Sequence, residues 1–534
     1  MSEIGTKVGR VVSVSGGQIV CLLDKPEGHH PAAPYDVQTG AVVKTHTADS
    51  TVFSIVRGLS IPVPSESGSG EELCIAELEL VGEILRRADP SEEKFQRGVS
   101  VYPKLGVPVY ASTQQDLQQI LACPGVAAAR IGSVFQDRSL PAYVRVNDLL
   151  GKHFAVLGTT GSGKSCAVTV ILKAVLRESK RARILLLDPH NEYSQAFGST
   201  AHILDPAVNL DLPPWLFNFD ELVEIILGEE GEERAAQAMI LAEAIMSARK
   251  RFLGDKKPPH VLTVDTPIPY RMADVIEYID HAQGNLSRRE SLTNYARLLN
   301  RLNALYSDSR FTFMFGRGTR DNMKEILCGL FRVPVADKPV TIVNLAGVPS
   351  EVLNVVVSVL CRLSFDFAMW TEREFPVLVV CEEAHRYAPR DTRIGFEPTK
   401  RVLTRIAKEG RKYGVSLGIV SQRPSDMAES VLAECNSMFA LRMTNQNDQD
   451  MVRAAVSEAP LGLLEFLPSL RTGEAIAIGE GMPMPVRVTF DALPSNEMPR
   501  SETAVFTGTL NTNAAVEDLV RIAVERWRSR QKAA

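Results

Sequence analysis

The run Gly158-Thr159-Thr160-Gly161-Ser162-Gly163-Lys164-Ser165 constrains this chain more than any other feature, because it fills every fixed position of the pattern GxxxxGK[ST]. Ordinary residue frequencies would supply such a match by chance in only about one chain in fifty of this length. The flanks agree with it: apolar HFAVLG precedes and helix-compatible SCAVTVILKAVL follows, which predicts strand, glycine turn and helix. In that setting the glycines expose backbone N–H groups at a helix N-terminus, where phosphate oxygens sit. Lys164 would reach the β- and γ-phosphates of a nucleoside triphosphate, and the Ser165 hydroxyl would bind Mg²⁺. Cys166 ends the expected phosphate-binding run.

A P-loop alone does not say whether the bound nucleotide is hydrolysed. In PVLVVCEEAH (376–385), five apolar residues predict a buried strand that ends in Glu382 and Glu383. Beside a P-loop, the first carboxylate can hold the Mg²⁺ shell, and the second can orient and deprotonate an attacking water. Glu382 stands where Asp is usual, and its extra methylene favours metal contact through water. SLGIVSQRP (416–424) sets Gln422 at the end of another buried strand. If that strand lies between the P-loop strand and the carboxylate strand, Gln422 faces the γ-phosphate and senses hydrolysis. Otherwise its amide merely stabilises a turn.

Two further patterns are less specific. In TKRVLTRIAKEGRKYG (399–414), Arg401, Arg405, Lys408 and Lys412 recur at helical spacing and give one basic face. Such a face is a solvated surface, a source of phosphate-backbone contacts, or the seat of an arginine finger that reaches a neighbour's ATP. Arg411 is the first finger candidate and Arg442 the second. LLLDPHNEY (185–193) ends a strand with Asp188, His190 and Glu192, where coupling of nucleotide state to substrate is one reading.

Around these motifs the chain reads as several segments. Residues 1–105 alternate short β-rich runs with turns, as in VGRVVSVSGG and STVFSIVRGL, and predict a small β-barrel, with PVPSESGSGEE (62–72) as a hairpin tip. Residues 106–150 read as a connector, 151–217 as the first part of an α/β core, 218–330 as a helical insertion, and 331–490 as the second part of the core. Residues 491–534 form a linker and an amphipathic terminal helix. With 45% hydrophobic and 23% charged residues, wholesale disorder and fibrous structure are excluded. The balance of 59 Lys+Arg against 64 Asp+Glu gives no overall basic field, so any DNA contact has to be local. The eight cysteines show no metal-ligand spacing and read as free thiols. No charge-free run reaches membrane-spanning length and the N-terminus lacks an apolar signal core, so no membrane association and a cytoplasmic location are expected.

GTTGSGKS after VNDLLGKHFAVLG, then LLLDPHNEY, VVCEEAHRYAP, EGRKYGVSLGIVSQRPS and AECNSMFALRMTNQND, resemble in content and order the HerA ATPases of the HerA/FtsK superfamily, over roughly residues 140–490. The resemblance implies a RecA-like P-loop ATPase core behind an N-terminal β-barrel. It also implies a homohexameric ring with ATP and Mg²⁺ at subunit interfaces, a channel for double-stranded DNA, and a partner nuclease of the NurA type in DNA end processing. Similar bacterial ATPases pair instead with sirtuin-like NADases or nucleases in phage defence. Two functions stay open here: a DNA-translocating ATPase, and a ring scaffold that assembles and activates an effector. A conjugation or secretion ATPase would need membrane tethering.

Overall fold

The computed structural model describes residues 5–24, 37–61, 73–87, 89, 93–123, 125–180, 182–228, 231, 233–255, 261–284, 289–316, 320–391, 393, 395–456, 461–500, 518 and 520–525. The hairpin tip expected at 62–72, the linker TGTLNTN and most of the terminal helix lie outside the described residues.

Strands β1 (Lys7–Ser15), β2 (Gln18–Leu23), β3 (Val42–His46), β4 (Ser50–Ser60), β5 (Ile75–Leu85), β6 (Phe95–Arg97) and β7 (Pro108–Ala111) form one antiparallel sheet in the order β2-β1-β7-β3-β4-β5-β6. A further pairing of β2 with β5 closes six of them into a barrel. The alternation of the strands buries Val11, Ile19, Cys21, Val43, Val56, Ala76, Leu78 and Val109 inside it. The barrel thus takes in β7, beyond residue 105.

The chain divides into two compact units, and the barrel belongs to the first: Met1–Leu187, Leu327–Thr341 and Asn354–Ser495. Its second sheet uses β8 (Ala128–Val134), β9 (Pro141–Arg145), β10 (Phe154–Leu157), β11 (Arg183–Asp188), β14 (Val377–Cys381), β15 (Val415–Ser421), β16 (Ser437–Leu441), β17 (Glu474–Gly479) and β18 (Val486–Phe490). They run β11-β14-β15-β10-β16-β17-β18-β8-β9. The first five are parallel, and their near-continuous apolar runs fit burial on both faces. The last four extend the sheet as an antiparallel wing. Residues 106–150 are therefore divided between barrel and core sheet. This is a mixed α/β fold: a RecA-like P-loop core with an N-terminal barrel.

The second unit, Asp188–Ile326, Ile342–Leu353 and Asn496–Ala534, is mainly helical. Helices Phe219–Leu227, Arg234–Leu253, Met272–Gly284 and Arg289–Ser307 are packed around Leu241, Ile245, Val275, Ile279, Leu298 and Leu302. The first opens with a capping box between Asn218 and Glu221. Two short strands, β12 (Ala201–Leu204) and β13 (Val340–Asn344), pair with each other. Among the described residues, one helix, Ser350–Trp370, is long and apolar enough to cross a bilayer; its apolar window is 72% buried, as in the core helix of a globular domain.

Candidate functional site

Parallel strands point their C-terminal ends the same way, and the register fixes which residues meet there. Leu157 of β10 lies opposite Ser421 of β15 and Ala440 of β16, while Cys381 of β14 lies opposite Leu187 of β11 and Ile419 of β15. The residues that follow each strand, Gly158, Gln422, Arg442 and Glu382, therefore emerge along one edge. β15 lies between the P-loop strand and the carboxylate strand, the arrangement on which the reading of Gln422 depends.

The P-loop follows β10 and turns into the helix Lys164–Glu178. Gly161 and Gly163 have φ of 74° and 97°, backbone that other residues adopt only with strain. Gly163 is the N-cap, and no side chain caps the first turn, so the helix N-terminus keeps its affinity for an anion. Thr159 anchors the loop to the neighbouring strand end through its N–H and its hydroxyl, each donating to the Arg442 carbonyl at 3.0 Å. Lys164 is buried and its Nζ donates to the Thr159 carbonyl at 3.1 Å, across the loop. Ser162 caps the same carbonyl at 2.7 Å. Ser165 and Cys166 are half-buried in the first helical turn.

Glu382 and Glu383 are 3% and 6% exposed, so neither is a solvated strand-end acid. Glu382 is held by its backbone, whose N–H donates to the Leu187 carbonyl at 3.3 Å. Glu383 adopts φ 54°, in the left-handed region, a strain for a residue with a Cβ. Its Oε2 is buried with no hydrogen-bond partner among the described residues, although the Nδ1 of His385 stands 3.2 Å away, out of alignment. Burial lowers the pKa of His385, with Glu383 pulling in the opposite direction. Gln422 accepts the Thr160 hydroxyl at 2.5 Å, which ties the end of β15 directly to the P-loop.

Other candidates are placed differently. Arg411 lies in the last turn of the helix Glu397–Tyr413, just before β15 begins, at the opposite edge of the sheet from the P-loop of its own chain. There it is close enough to His153 and Glu480 to influence both electrostatically. Arg442, by contrast, adjoins the P-loop. On the basic helix, Arg401 and Arg405 pair with Glu397 and Glu409, each at 3.6 Å, and the Arg405 guanidinium lies 4.1 Å from the Phe365 ring centroid. Asp188 is fully buried and accepts the N–H groups of His190, Glu192 and Tyr193 at 3.0–3.2 Å. Burial raises its pKa, and those donors oppose the shift. Its carboxylate shapes the loop after β11.

Sequence reasoning missed the Arg471–Gly473 turn. The Gly473 N–H donates to the Ser162 carbonyl at 3.1 Å, and the Thr472 hydroxyl to the Gly161 carbonyl at 3.3 Å, so the turn braces the P-loop from outside. No short motif marks it; only the folded sheet brings residues so distant in sequence together. A cavity of about 1050 Å³, lined by Leu150, Arg183, Val335 and Phe375, opens at the other end of the strands and takes no part in the P-loop edge.

A glycine-turned helix N-terminus, a buried lysine, two buried carboxylates and a strand-end glutamine on one edge of a parallel sheet define a P-loop nucleotide-binding protein of the RecA-like class. Residues 129–364 match the family described as helicase HerA, central domain. The DNA double-strand break repair helicase HerA of Pyrococcus furiosus is 27% identical over 420 residues, covering 71% of this chain and 72% of that protein. A probable helicase of Methanocaldococcus jannaschii is 26% identical over 473 residues, 85% of each. The solved structure of VirB4 of Thermoanaerobacter pseudethanolicus aligns with a TM-score of 0.51 at 15% identity, covering 70% of this chain and 98% of that one, a likeness of fold. Over these residues the chain is similar in sequence to the HerA helicases, and its fold is that of a P-loop ATPase.

Proposed function

We infer that this chain is an ATP-hydrolysing motor that moves double-stranded DNA, assembled as a homohexameric ring with ATP at the subunit interfaces. The observation that carries the reading is the convergence of the P-loop, Glu382–Glu383 and Gln422 on one sheet edge. HerA-named relatives described as DNA double-strand break repair helicases support DNA as the substrate.

In this reading the P-loop amides and Lys164 bind the triphosphate, and Gln422 reports the γ-phosphate. Glu383, whose buried Oε2 lacks a donor, is suited to accept a proton from the attacking water. The residues also fit Mg²⁺: the Ser165 hydroxyl would hold the ion directly and the Glu382 carboxylate would hold it through water. When bound, the ion would neutralise charge on the β- and γ-phosphate oxygens. An arginine, Arg411 or Arg442, would complete the site from the adjacent subunit; the distance of Arg411 from its own P-loop favours it for that role. The family resemblance adds a partner nuclease of the NurA type or another effector enzyme.

The test is steady-state ATP hydrolysis with and without duplex DNA, alongside the mass of the assembly in solution. Wild type should hydrolyse ATP faster with duplex DNA. Lys164→Ala should lose nucleotide binding, and Glu383→Gln should bind ATP but turn over at least about 100-fold more slowly. Hydrolysis indifferent to duplex DNA, or a monomer under all conditions, would sink the motor reading.

A further inference from the structure

Glu383 is strained, buried and short of a donor, and what stands next to it is unusual. His385 Nδ1 lies 3.2 Å from Glu383 Oε2 and 3.1 Å from Ser421 Oγ. Ser421 is the last residue of β15, and its Oγ also accepts the Arg423 N–H at 3.1 Å. The next residue is Gln422, held by the Thr160 hydroxyl of the P-loop. A short chain of contacts thus runs from the P-loop through Gln422 and Ser421 to His385 and ends at Glu383.

The chemistry of the ring makes this a choice between two states. With the proton on Nδ1, one N–H faces two oxygens and makes a well-aligned bond to only one of them. In this structure the alignment favours Ser421, and Glu383 Oε2 is left without a bond. A small pivot of the imidazole, or a small shift of the Ser421 hydroxyl, transfers the donor to Glu383 with no change in fold. The backbone around the pair is firmly fixed: Arg386 N–H donates to the Glu383 carbonyl at 2.9 Å, and the segments after the two strands are sewn together by Ala428 N–H to Ala388 carbonyl at 2.8 Å and Arg390 N–H to Asp426 carbonyl at 2.8 Å. Side chains can therefore switch while the main chain stays in place.

We propose that His385 is the positioning residue for Glu383, and that Ser421 and Gln422 make its grip on that carboxylate dependent on the state of the P-loop. The proposal rests on Glu383 being the residue that activates water. When Gln422 turns from Thr160 to a bound γ-phosphate, the neighbouring Ser421 hydroxyl rotates and releases the imidazole, and His385 takes hold of Glu383 and orients it. Until Gln422 engages a γ-phosphate, Glu383 is undirected.

The experiment measures kcat and KM for ATP in wild type, His385→Ala, His385→Asn, Ser421→Ala and Glu383→Gln, with binding of a fluorescent ATP analogue and thermal melting on each. His385→Ala should lower kcat about 10- to 100-fold, with KM and nucleotide binding within about twofold of wild type. His385→Asn, whose amide can donate from nearly the position of Nδ1, should recover most of the loss. Ser421→Ala removes the competing oxygen, so His385 holds Glu383 without waiting for Gln422, and kcat should rise above that of wild type with KM unchanged. An unchanged kcat in His385→Ala while Glu383→Gln is inactive overturns the positioning role and leaves the ATPase reading standing. Equal losses in the Ala and Asn variants, with Ser421→Ala behaving as wild type, also overturn it. Full activity in Glu383→Gln overturns both. If His385→Ala melts before assay, His385→Asn and Ser421→Ala still decide between these outcomes.

Discussion

At the scale of single residues, the site is built from positions where a side chain would be in the way and positions where one is held under strain. Gly158 belongs to the first kind: a Cβ there would stand 2.8 Å from both Leu441 Cβ and Ser162 Oγ. Gly158→Ala should therefore displace the P-loop and abolish nucleotide binding, read by fluorescent ATP analogue titration, with little change in melting temperature; retention of wild-type affinity would show that the loop has room to spare. Glu383 belongs to the second kind. Legibility in the sequence follows the same division. The P-loop and the Glu382–Glu383 pair could be read because their chemistry is contiguous in the chain. The Ser421–His385 contact and the Thr472–Gly473 brace could not, because each is made by residues that only the sheet order brings together. Asp188 was legible as a strand-end acid, but its use in shaping a loop depends on three N–H groups whose directions a sequence does not specify.

At the scale of elements, β15 and β10 carry the argument. Uninterrupted apolar runs mark both as buried strands, whereas their adjacency depends on sheet order, which the sequence does not specify. His153, just before β10, ties the two together: its Nδ1 accepts the Leu417 N–H at 2.8 Å. Burial pushes the His153 pKa down to about 4 from an ordinary 6.5; the Ala407 carbonyl opposes that shift, and Arg411 adds to it. The unfolded chain thus takes up a proton below about pH 6.5 that the folded chain refuses, so the contribution is complete above that pH and is lost progressively towards pH 4. The slope approaches about 1.4 kcal/mol per pH unit from this one group. Thermal melting between pH 7.5 and 5 should show a falling midpoint, and His153→Gln, which keeps an acceptor but cannot titrate, should flatten it. Parallel profiles for the two proteins would assign the acid sensitivity elsewhere.

At the scale of the whole molecule, the first unit joins a barrel to a nucleotide-binding sheet, and the joint is specific. Arg97 of β6 donates to the carbonyls of Pro483, Gly479 and Met482 in the turn between β17 and β18. Gln136 Nε2 donates to the Gly40 carbonyl at 2.9 Å, and Arg57 pairs with Glu465 at 3.5 Å. Arg97→Ala strands three carbonyls and should cost about 2 kcal/mol. Hydrogen exchange should quicken in β6 and in the 479–483 turn, and unaltered exchange there would show that the joint is held by other contacts. The sequence indicated a barrel from its alternating runs, but nothing in it marked Arg97, a single arginine among many, as the pin. The β2–β5 pairing that closes the barrel has its own consequence. Among the described residues the ring of six strands offers no unpaired backbone along β2 or β5 where they meet, and the added β6 is only three residues long. A visiting polypeptide therefore finds little edge on which to lay itself as an extra strand. Recognition at the barrel must be written in side chains and loops rather than in added strands.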